Sequence, residues 1–484
     1  LSRTTGAHKD EPRGETPMAY TNLRQYVARL SSAGQLLEID AEVDPAWEIG
    51  TIAHKVLAEN GPAILFNNVK DYPYPVLANM VATMDRCALA MEVPRDDLIE
   101  SYIRMTARFD GPDLPVVARE QAPCKAVTIP RDQLSFADLV PPIVSNPGDG
   151  GAYLNFGLII TRDPETGLQN MGIYRLQLRD GLQTGFWCSP TSHAGMIRGK
   201  YEALGQDMPV AVCVGADPVL YLASQVAGMR LGMDELKLAA NMRGQPFNLV
   251  KADTADLLIP ADCEFVFEGR VLAGRREAEG PYGEYPGYYG PVGEQPVLQV
   301  EHATRKADPL FNYTYLGLPP TDTHAMGQLS GEAGYLHKLR SDVAPTVRAV
   351  YCPPDMHTVI VSLKKTYNEQ AKHVIYSLWS SRIVKTVIVV DDDVDPRNAD
   401  LVSWAIANRC QGTHDILVSD GFCTIGPSPD KYGEGIATKI GIDATEPLSG
   451  FPALVRPSGD MLERVNRRWG ELTASKTQRL RAHG

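Results

Sequence analysis

Glu279-Gly-Pro-Tyr-Gly-Glu284 runs on into Tyr285-Pro-Gly-Tyr-Tyr-Gly290, setting two carboxylates among four tyrosines within twelve residues. Gly280, Pro281 and Gly283 exclude a regular helix, so these residues form a loop with fixed turns. A rigid loop that places a carboxyl in apolar or aromatic surroundings raises its proton affinity and lets it donate near neutrality. The same composition fits a pair of exposed loop glutamates with tyrosines packed at the surface. A second cluster, Asn170-Met-Gly-Ile-Tyr-Arg175, is followed by His193 in Ser189-Pro-Thr-Ser-His193. Alternation along a strand points residues 171, 173 and 175 to one face and Asn170 to the other. Alone, Asn170 reads as a turn residue and His193 as a hydrogen-bonded loop histidine. Glu235 opens a helical pattern, Asp234-Glu-Leu-Lys-Leu-Ala-Ala, where a carboxylate is favoured by the helix dipole. Asp391-Asp-Asp is a strand-end acidic cluster, usually solvated, with a weak Mg2+ signal. Gly185-Phe-Trp-Cys-Ser189 does not match the nucleophile elbow GxSxG, and no GxGxxG or Walker loop is present.

The elements that must position these residues fall into three regions. From Thr21 to about residue 122 the pattern is a small α/β domain. Leu23, Tyr26, Val27 and Leu30 recur at helical spacing before Gly34, followed by strands at Leu36–Ile39, Ala63–Phe66 and Pro75–Leu77 and a helix over Met84–Met91. From Cys124 to Glu301, short apolar runs alternate with Gly, Pro and Asn turns, as in Phe156–Thr161, Val210–Val214, Cys263–Glu268 and Val297–Val300. Such a rhythm predicts a barrel or sandwich with helical insertions at 194–204 and 234–241. Beyond residue 330, strands at Thr358–Ser362, Lys385–Val390 and Asp415–Val418 alternate with helices at Glu369–Trp379 and Leu401–Ala407, predicting a mostly parallel sheet. The domain division is thus 1–17 as a flexible extension, 18–122, 123–301, a linker at 302–330, 331–460, and a basic tail or helix at 461–484.

The 484 residues are too many for one core, and 44% hydrophobic with 22% charged residues is a globular balance. A net charge of −12 disfavours nucleic acid and anionic membrane, which need a basic surface. Eight scattered cysteines without a CxxC pair predict free thiols in a reducing, cytoplasmic compartment. No apolar run reaches a membrane span, and no signal-peptide core is expected at the N-terminus.

In order and approximate spacing, Asn170-x-x-Ile173-x-Arg175, His193, Glu235, Glu279-Gly-Pro-x-Gly-Glu284 and Lys385 resemble the UbiD family of decarboxylases. Leu23-Arg24 with Gly34, and Gly441-Ile-Asp-Ala-Thr445, extend the resemblance to residues 20 to 450. It implies a central FMN-binding split β-barrel between N-terminal and C-terminal α/β domains, the last building a homodimer or homohexamer. It also implies prenylated FMN, obtained from a flavin prenyltransferase, with its phosphate held through Mn2+ or Mg2+ and with K+ nearby. By matching position, Asn170, His193 and Glu235 would ligate the divalent metal, and the mixed amide, imidazole and carboxylate set suits those ions. Ala223 and Glu235 would border K+; Ile173, Ser192, Ser224, Gln225 and Val226 would line the flavin; Lys385 would add charge at the phosphate.

The implied reaction is reversible, non-oxidative decarboxylation of an aromatic, heteroaromatic or α,β-unsaturated acid through a covalent adduct with the flavin, which acts as electron sink. Glu284 would protonate the vacated carbon, with Arg175 and Glu279 paired beside it. Ser192 stands where some members carry an amide, the segment between Ser224 and Glu235 holds an extra residue, and Glu446 is a further departure. The stretch 420–428 and the tyrosines are candidates for shaping the substrate pocket. A conventional FMN oxidoreductase and a non-catalytic assembly protein are the rival readings.

Overall fold

Asn22 starts the first helix, Leu23–Ser32, its side chain accepting from the Gln25 amide at 3.0 Å, and Leu23, Tyr26 and Leu30 form the buried stripe. Our computed structural model describes residues 20–107, 111–226, 231–423, 429 and 436–481. The extension read at 1–17 lies outside them. Strands Leu36–Ile39, Ala63–Phe66, Val76–Ala78 and Phe311–Tyr313 make a four-stranded sheet, in which Phe311–Tyr313 runs parallel to Val76–Ala78. The stretch 302–330 therefore returns a strand to the N-terminal sheet and then opens the helix Asp322–Asp342. Phe311 and Tyr313 are buried there, and between them the Asn312 side chain accepts from the Gly215 amide at 2.7 Å.

The middle of the chain is one nine-stranded sheet, antiparallel throughout. Its ends are Tyr153–Leu154, beside Leu176–Leu178, and Gln169–Ile173, beside Leu158–Arg162. Gln169–Ile173, at one edge of the strand order, and Leu176–Leu178, next to the opposite edge, are thus far apart in the order, yet only Tyr174 and Arg175 separate them in sequence. Three residue steps span about 11 Å at most, so the two ends must approach each other and the sheet curls into a half-barrel. Arg175 sits at the seam.

The long central strands Phe265–Glu279 and Gly293–Arg305 pair with register shifts at Glu268/Gly269 and Val271/Arg276, the irregularities that bend a sheet. At the first shift a Cβ on Gly269 would lie 2.0 Å from the Gln299 carbonyl oxygen, a close backbone approach that only glycine permits. Gly269→Ala is therefore expected to cost about 1–3 kcal/mol through forced backbone displacement, read as a lower urea midpoint with an unchanged slope.

A five-stranded sheet in the C-terminal part has the order Val347–Tyr351, Thr358–Leu363, Thr386–Asp391, Ile436–Ala444, Ile416–Cys423; its three inner strands are parallel and both edges antiparallel. Val359 and Val361 pack against Val374, Ile375 and Leu378 of the helix Gln370–Trp379. Alternate Ile360 faces the other way, onto Val402 and Ala405 of the helix Ala399–Arg409. The helix Asp322–Asp342 ties the parts together. Its start is anchored by Asp322, which accepts from the Val81 amide at 2.7 Å and the Thr314 hydroxyl at 3.0 Å, and its end buries Leu336 and Leu339 in the C-terminal core. Among the described residues no helix is long and apolar enough to cross a membrane.

Candidate active site

At the seam, Arg175 is nearly enclosed. Its Nε and Nη2 donate to the two oxygens of Glu279 at 2.9 and 2.8 Å, a bidentate clamp, and its Nη1 donates to Glu284. The guanidinium carbon lies 5.1 Å from the Trp187 ring centre and 4.6 Å from that of Tyr282, so both aromatic faces support the charge. Arg175, Glu279 and Glu284 are 9%, 1% and 7% exposed, which disposes of the surface-glutamate reading.

The loop between the two glutamates is a short hairpin, Tyr282 and Gly283 pairing with Gly290 and Tyr289. Asp149 secures it by accepting from the Gly283 amide at 2.7 Å and the Asn146 amide at 2.8 Å. Glu284 then opens a tight turn, its carbonyl accepting from Gly287 at 2.9 Å. Burial pushes the Glu284 carboxyl above the ordinary range; Arg175 pulls it back, and Glu279 and Asp149 push it further up.

Arg175 and Glu284 line a cavity of about 280 Å3 together with Ile173, Gln225, Trp187 and Tyr282. Tyr285 borders it too, its carbonyl held by His324 Nε2 at 2.8 Å. Burial drives His324 down to about 4, so this imidazole is neutral and works as a strut.

The other trio assembles at the far end of the Gln169–Ile173 edge strand. Asn170 Nδ2 lies 2.6 Å from Glu235 Oε1 and 3.4 Å from His193 Nδ1, while His193 Nδ1 lies 3.7 Å from Glu235 Oε1. Asn170 therefore belongs to a strand, not a turn, and His193 opens the helix His193–Ala203. Asp234 performs the helix capping, accepting from Leu236 and Lys237 at 3.0 and 3.1 Å, which leaves Glu235 free to face Asn170. Asn170 Oδ1 is buried without a partner. Turning that amide over would present an oxygen beside an imidazole nitrogen and a carboxylate, a donor set that fits a divalent cation.

The remaining predicted residues are placed as follows. Ser192 caps the His193–Ala203 helix, accepting from the Gly195 amide at 3.2 Å. Ser224 donates to the Tyr221 carbonyl at 2.8 Å, and the Ala223 carbonyl accepts from the Val226 amide at 3.3 Å. Val226 lines a separate cavity of about 180 Å3 with Tyr102 and His337. Lys385 is half-buried at the start of a strand, its proton affinity lowered by burial, and no described bond joins it to Asn170, His193 or Glu235. Instead, Arg382 of the same turn reaches the site's edge, its Nη1 donating to Thr191 at 2.8 Å. The extra residue between Ser224 and Glu235 and most of the 420–428 stretch lie in or beside segments outside the described residues.

Two acidic clusters hold cations of the chain's own. Asp253, Glu268 and His302 bring ligand atoms within 4.8 Å of one another, but the buried Lys125 ammonium sits 2.7 Å from Glu268 and 3.1 Å from Asp253. At Asp391-Asp-Asp, Arg409 bonds Asp391 and Asp393 at 3.1 and 2.9 Å and Glu446 at 2.6 Å, so a guanidinium takes the place a Mg2+ would fill.

Three domain models of one family match in sequence: the 3-octaprenyl-4-hydroxybenzoate carboxy-lyase N-terminal domain over residues 27–106, its Rift-related domain over 115–319 and its C-terminal domain over 324–444. The chain belongs to the UbiD family. As a UbiD protein it is a decarboxylase. The phenolic acid decarboxylase of Bacillus subtilis (strain 168) is 31% identical over 448 residues, covering 89% of this chain and 94% of that protein. The UbiD-class enzyme HmfF from Pelotomaculum thermopropionicum, solved with FMN, superposes with a TM-score of 0.83 at 32% identity, covering 91% of this chain and 98% of HmfF. The vanillic acid decarboxylase of Sedimentibacter hydroxybenzoicus in its closed form gives 0.84 at 29% identity, over 94% and 99% of the two chains.

Proposed function

We propose that this UbiD protein reversibly decarboxylates an aromatic, heteroaromatic or α,β-unsaturated acid on prenylated FMN, with Glu284 as the proton donor. The reading rests on one observation: at the wall of a cavity, a buried carboxyl of raised proton affinity lies against a guanidinium that a second carboxylate clamps from behind the lining. The cofactor would supply the electron sink for the departing CO2. Arg175 would orient the substrate carboxylate, Glu279 would hold Arg175, and Glu284 would deliver its proton to the carbon that loses CO2 and regain one from solvent. Asn170, His193 and Glu235 would hold Mn2+ or Mg2+ at the cofactor phosphate. The Ala223 carbonyl and Glu235 would border K+, and Ile173, Ser192, Ser224, Gln225, Val226 and Lys385 would flank the flavin and its phosphate. The relative HmfF supports this assignment, since an evolved dimeric form of it carries prFMN.

We assign the curled sheet, over 123–301, as a split barrel, with 18–122 and 331–460 as flanking domains joined through 302–330. A homodimer or homohexamer is supported by the exposed Met461, Leu462, Trp469 and Leu472 on the helix Gly459–Arg481. Cytoplasmic residence is supported by the cysteines among the described residues, which are free and mostly buried.

Producing the chain with and without a flavin prenyltransferase, then weighing the bound flavin and measuring CO2 from a panel of acids, tests the proposal. The expected result is a prenylated flavin and CO2 release only after co-production. Plain FMN with hydride-donor turnover, or no flavin at all, would overturn it.

A pH dependence follows from Glu284. Its folded-state proton affinity is raised, so the donor form persists above the usual carboxylate range and is lost as pH rises through that elevated value. The profile of kcat/KM against pH is expected to fall on the alkaline side of that titration. A profile that instead rises through the same interval, as for a catalytic carboxylate base, would contradict the donor role.

A further inference from the structure

Two short helices carry residues of both halves of the site. Pro218–Ala223 leads directly into Ser224 and Gln225, and Gln225 lines the cavity beside Arg175. Glu235–Arg243 begins with the carboxylate that faces Asn170 and His193. The helices pack against each other. Their opposite ends meet in an ion pair: Asp217, the cap of the first helix, lies 3.2 Å from Arg243, the last residue of the second. The pair is therefore about one helix length away from Glu235, at the open end of an antiparallel hairpin whose linked end holds the site.

Both partners are 4% exposed. Asp217 accepts from the Val219 amide at 2.9 Å, while Arg243 donates to the Tyr20 carbonyl at 3.2 Å and lies 4.5 Å over the Phe247 ring. The pairing is ionic and not aligned as a hydrogen bond, for Asp217 Oδ2 and Arg243 Nε have no hydrogen-bond partner. Burial pushes Asp217 up to about 6 against the pull of Arg243. A buried pair so imperfectly satisfied adds little stability over apolar side chains of the same volume, and its best-attested use is to fix a register.

We propose that Asp217 and Arg243 are positioning residues, whose ion pair sets the distance between Glu235 and the Ser224–Gln225 turn and thereby closes the Asn170–His193–Glu235 trio on a cation. This rests on reading that trio as a divalent-metal site. Neither Asp217 nor Arg243 touches the trio, so their effect is transmitted along the helix axes.

The test separates position from stability. Full-length Asp217→Asn, which keeps the cap and the side-chain volume, and the double variant Asp217→Leu/Arg243→Met, which replaces the charges with apolar groups, are melted and titrated with Mn2+ in the presence of FMN, free Mn2+ being read by its paramagnetic resonance. The double variant is expected to melt close to wild type and Asp217→Asn lower, because Arg243 then stays buried without its anion. Both are expected to bind Mn2+ about 10- to 100-fold more weakly, the range typical of lost support behind a metal ligand. Arg243→Lys, which keeps the charge, is expected to retain most of the affinity. Wild-type Mn2+ affinity in either folded variant would overturn the proposal, as would a return of affinity in step with melting temperature. Should wild type itself bind no Mn2+ and Glu235→Gln change nothing, the reading of the trio fails first and takes this proposal with it.

Discussion

Glu284→Gln lowers CO2 release by about 100- to 10,000-fold, the span that removal of a positioned acid produces, while flavin and metal contents stay at wild-type levels. The substitution conserves volume and leaves an amide oxygen able to accept from Arg175 Nη1, so the clamp between Arg175 and Glu279 at 2.9 and 2.8 Å persists. What disappears is a dissociable proton on a carboxyl that burial holds protonated further up the pH scale than an exposed glutamate. The loss is expected in kcat, because protonation follows substrate binding, with KM changing little. Single-turnover measurement sharpens the result, since CO2 departure precedes protonation: a first burst of CO2 with blocked product release would place the defect at the proton. Turnover within a few-fold of wild type would remove Glu284 from the role.

How much of this was legible in the sequence depends on how local each signal is. The helix Leu23–Ser32 and the strands Ala63–Phe66 and Thr358–Leu363 follow from capping and apolar periodicity that a short window contains. The curl of the middle sheet does not. It follows from two short strands, Gln169–Ile173 at one edge of the strand order and Leu176–Leu178 next to the other edge, and no window of sequence contains those pairings. For the same reason Phe311–Tyr313 read as linker: three residues are too few for a periodicity, and their partner is Val76–Ala78.

In the site, Arg175, Glu279 and Glu284 were legible because unusual residue types crowd one loop and one motif. Asp149, Trp187 and His324 were not, because each acts on a partner distant in the chain. Asp149 holds Gly283, Trp187 supports Arg175, and His324 props the Tyr285 carbonyl. A faint signal existed for Asp149, which sits in the turn-rich run Asn146-Pro-Gly-Asp-Gly-Gly. Lys385 differs again, since its place at a phosphate came from the family resemblance and not from any local signal, and the described bond in that stretch attaches Arg382 to Thr191.

Arg175→Met is expected to unfold at a lower urea concentration than wild type, by an amount equal to about 3–5 kcal/mol, and to release no measurable CO2. Deleting the guanidinium leaves the Glu279 side chain, 1% exposed, and the Glu284 side chain, 9% exposed, with no cation between them. Water cannot replace the lost charge at that depth, and the stacked faces of Trp187 and Tyr282 offer no donor in the direction the guanidinium filled. Part of the loss is relieved in acid. Glu284 already has a raised proton affinity in the folded state, and without Arg175 the chief influence lowering it is gone. Its stabilising protonated form is present at low pH and vanishes as pH rises through that higher value, so the deficit at pH 8 exceeds the deficit at pH 5. The double variant Arg175→Met/Glu279→Leu distinguishes function from packing. Replacing both members of the clamp with apolar groups removes the stranded charge and is expected to recover most of the stability, because buried pairs gain little over well-packed hydrocarbon. Activity is not expected to recover with it, since the substrate carboxylate then meets no cation at the seam. Equal stability of Arg175→Met and wild type, or recovery of CO2 release in the double variant, would show that this cluster is neither the electrostatic keystone of the half-barrel nor the place where the acid is bound.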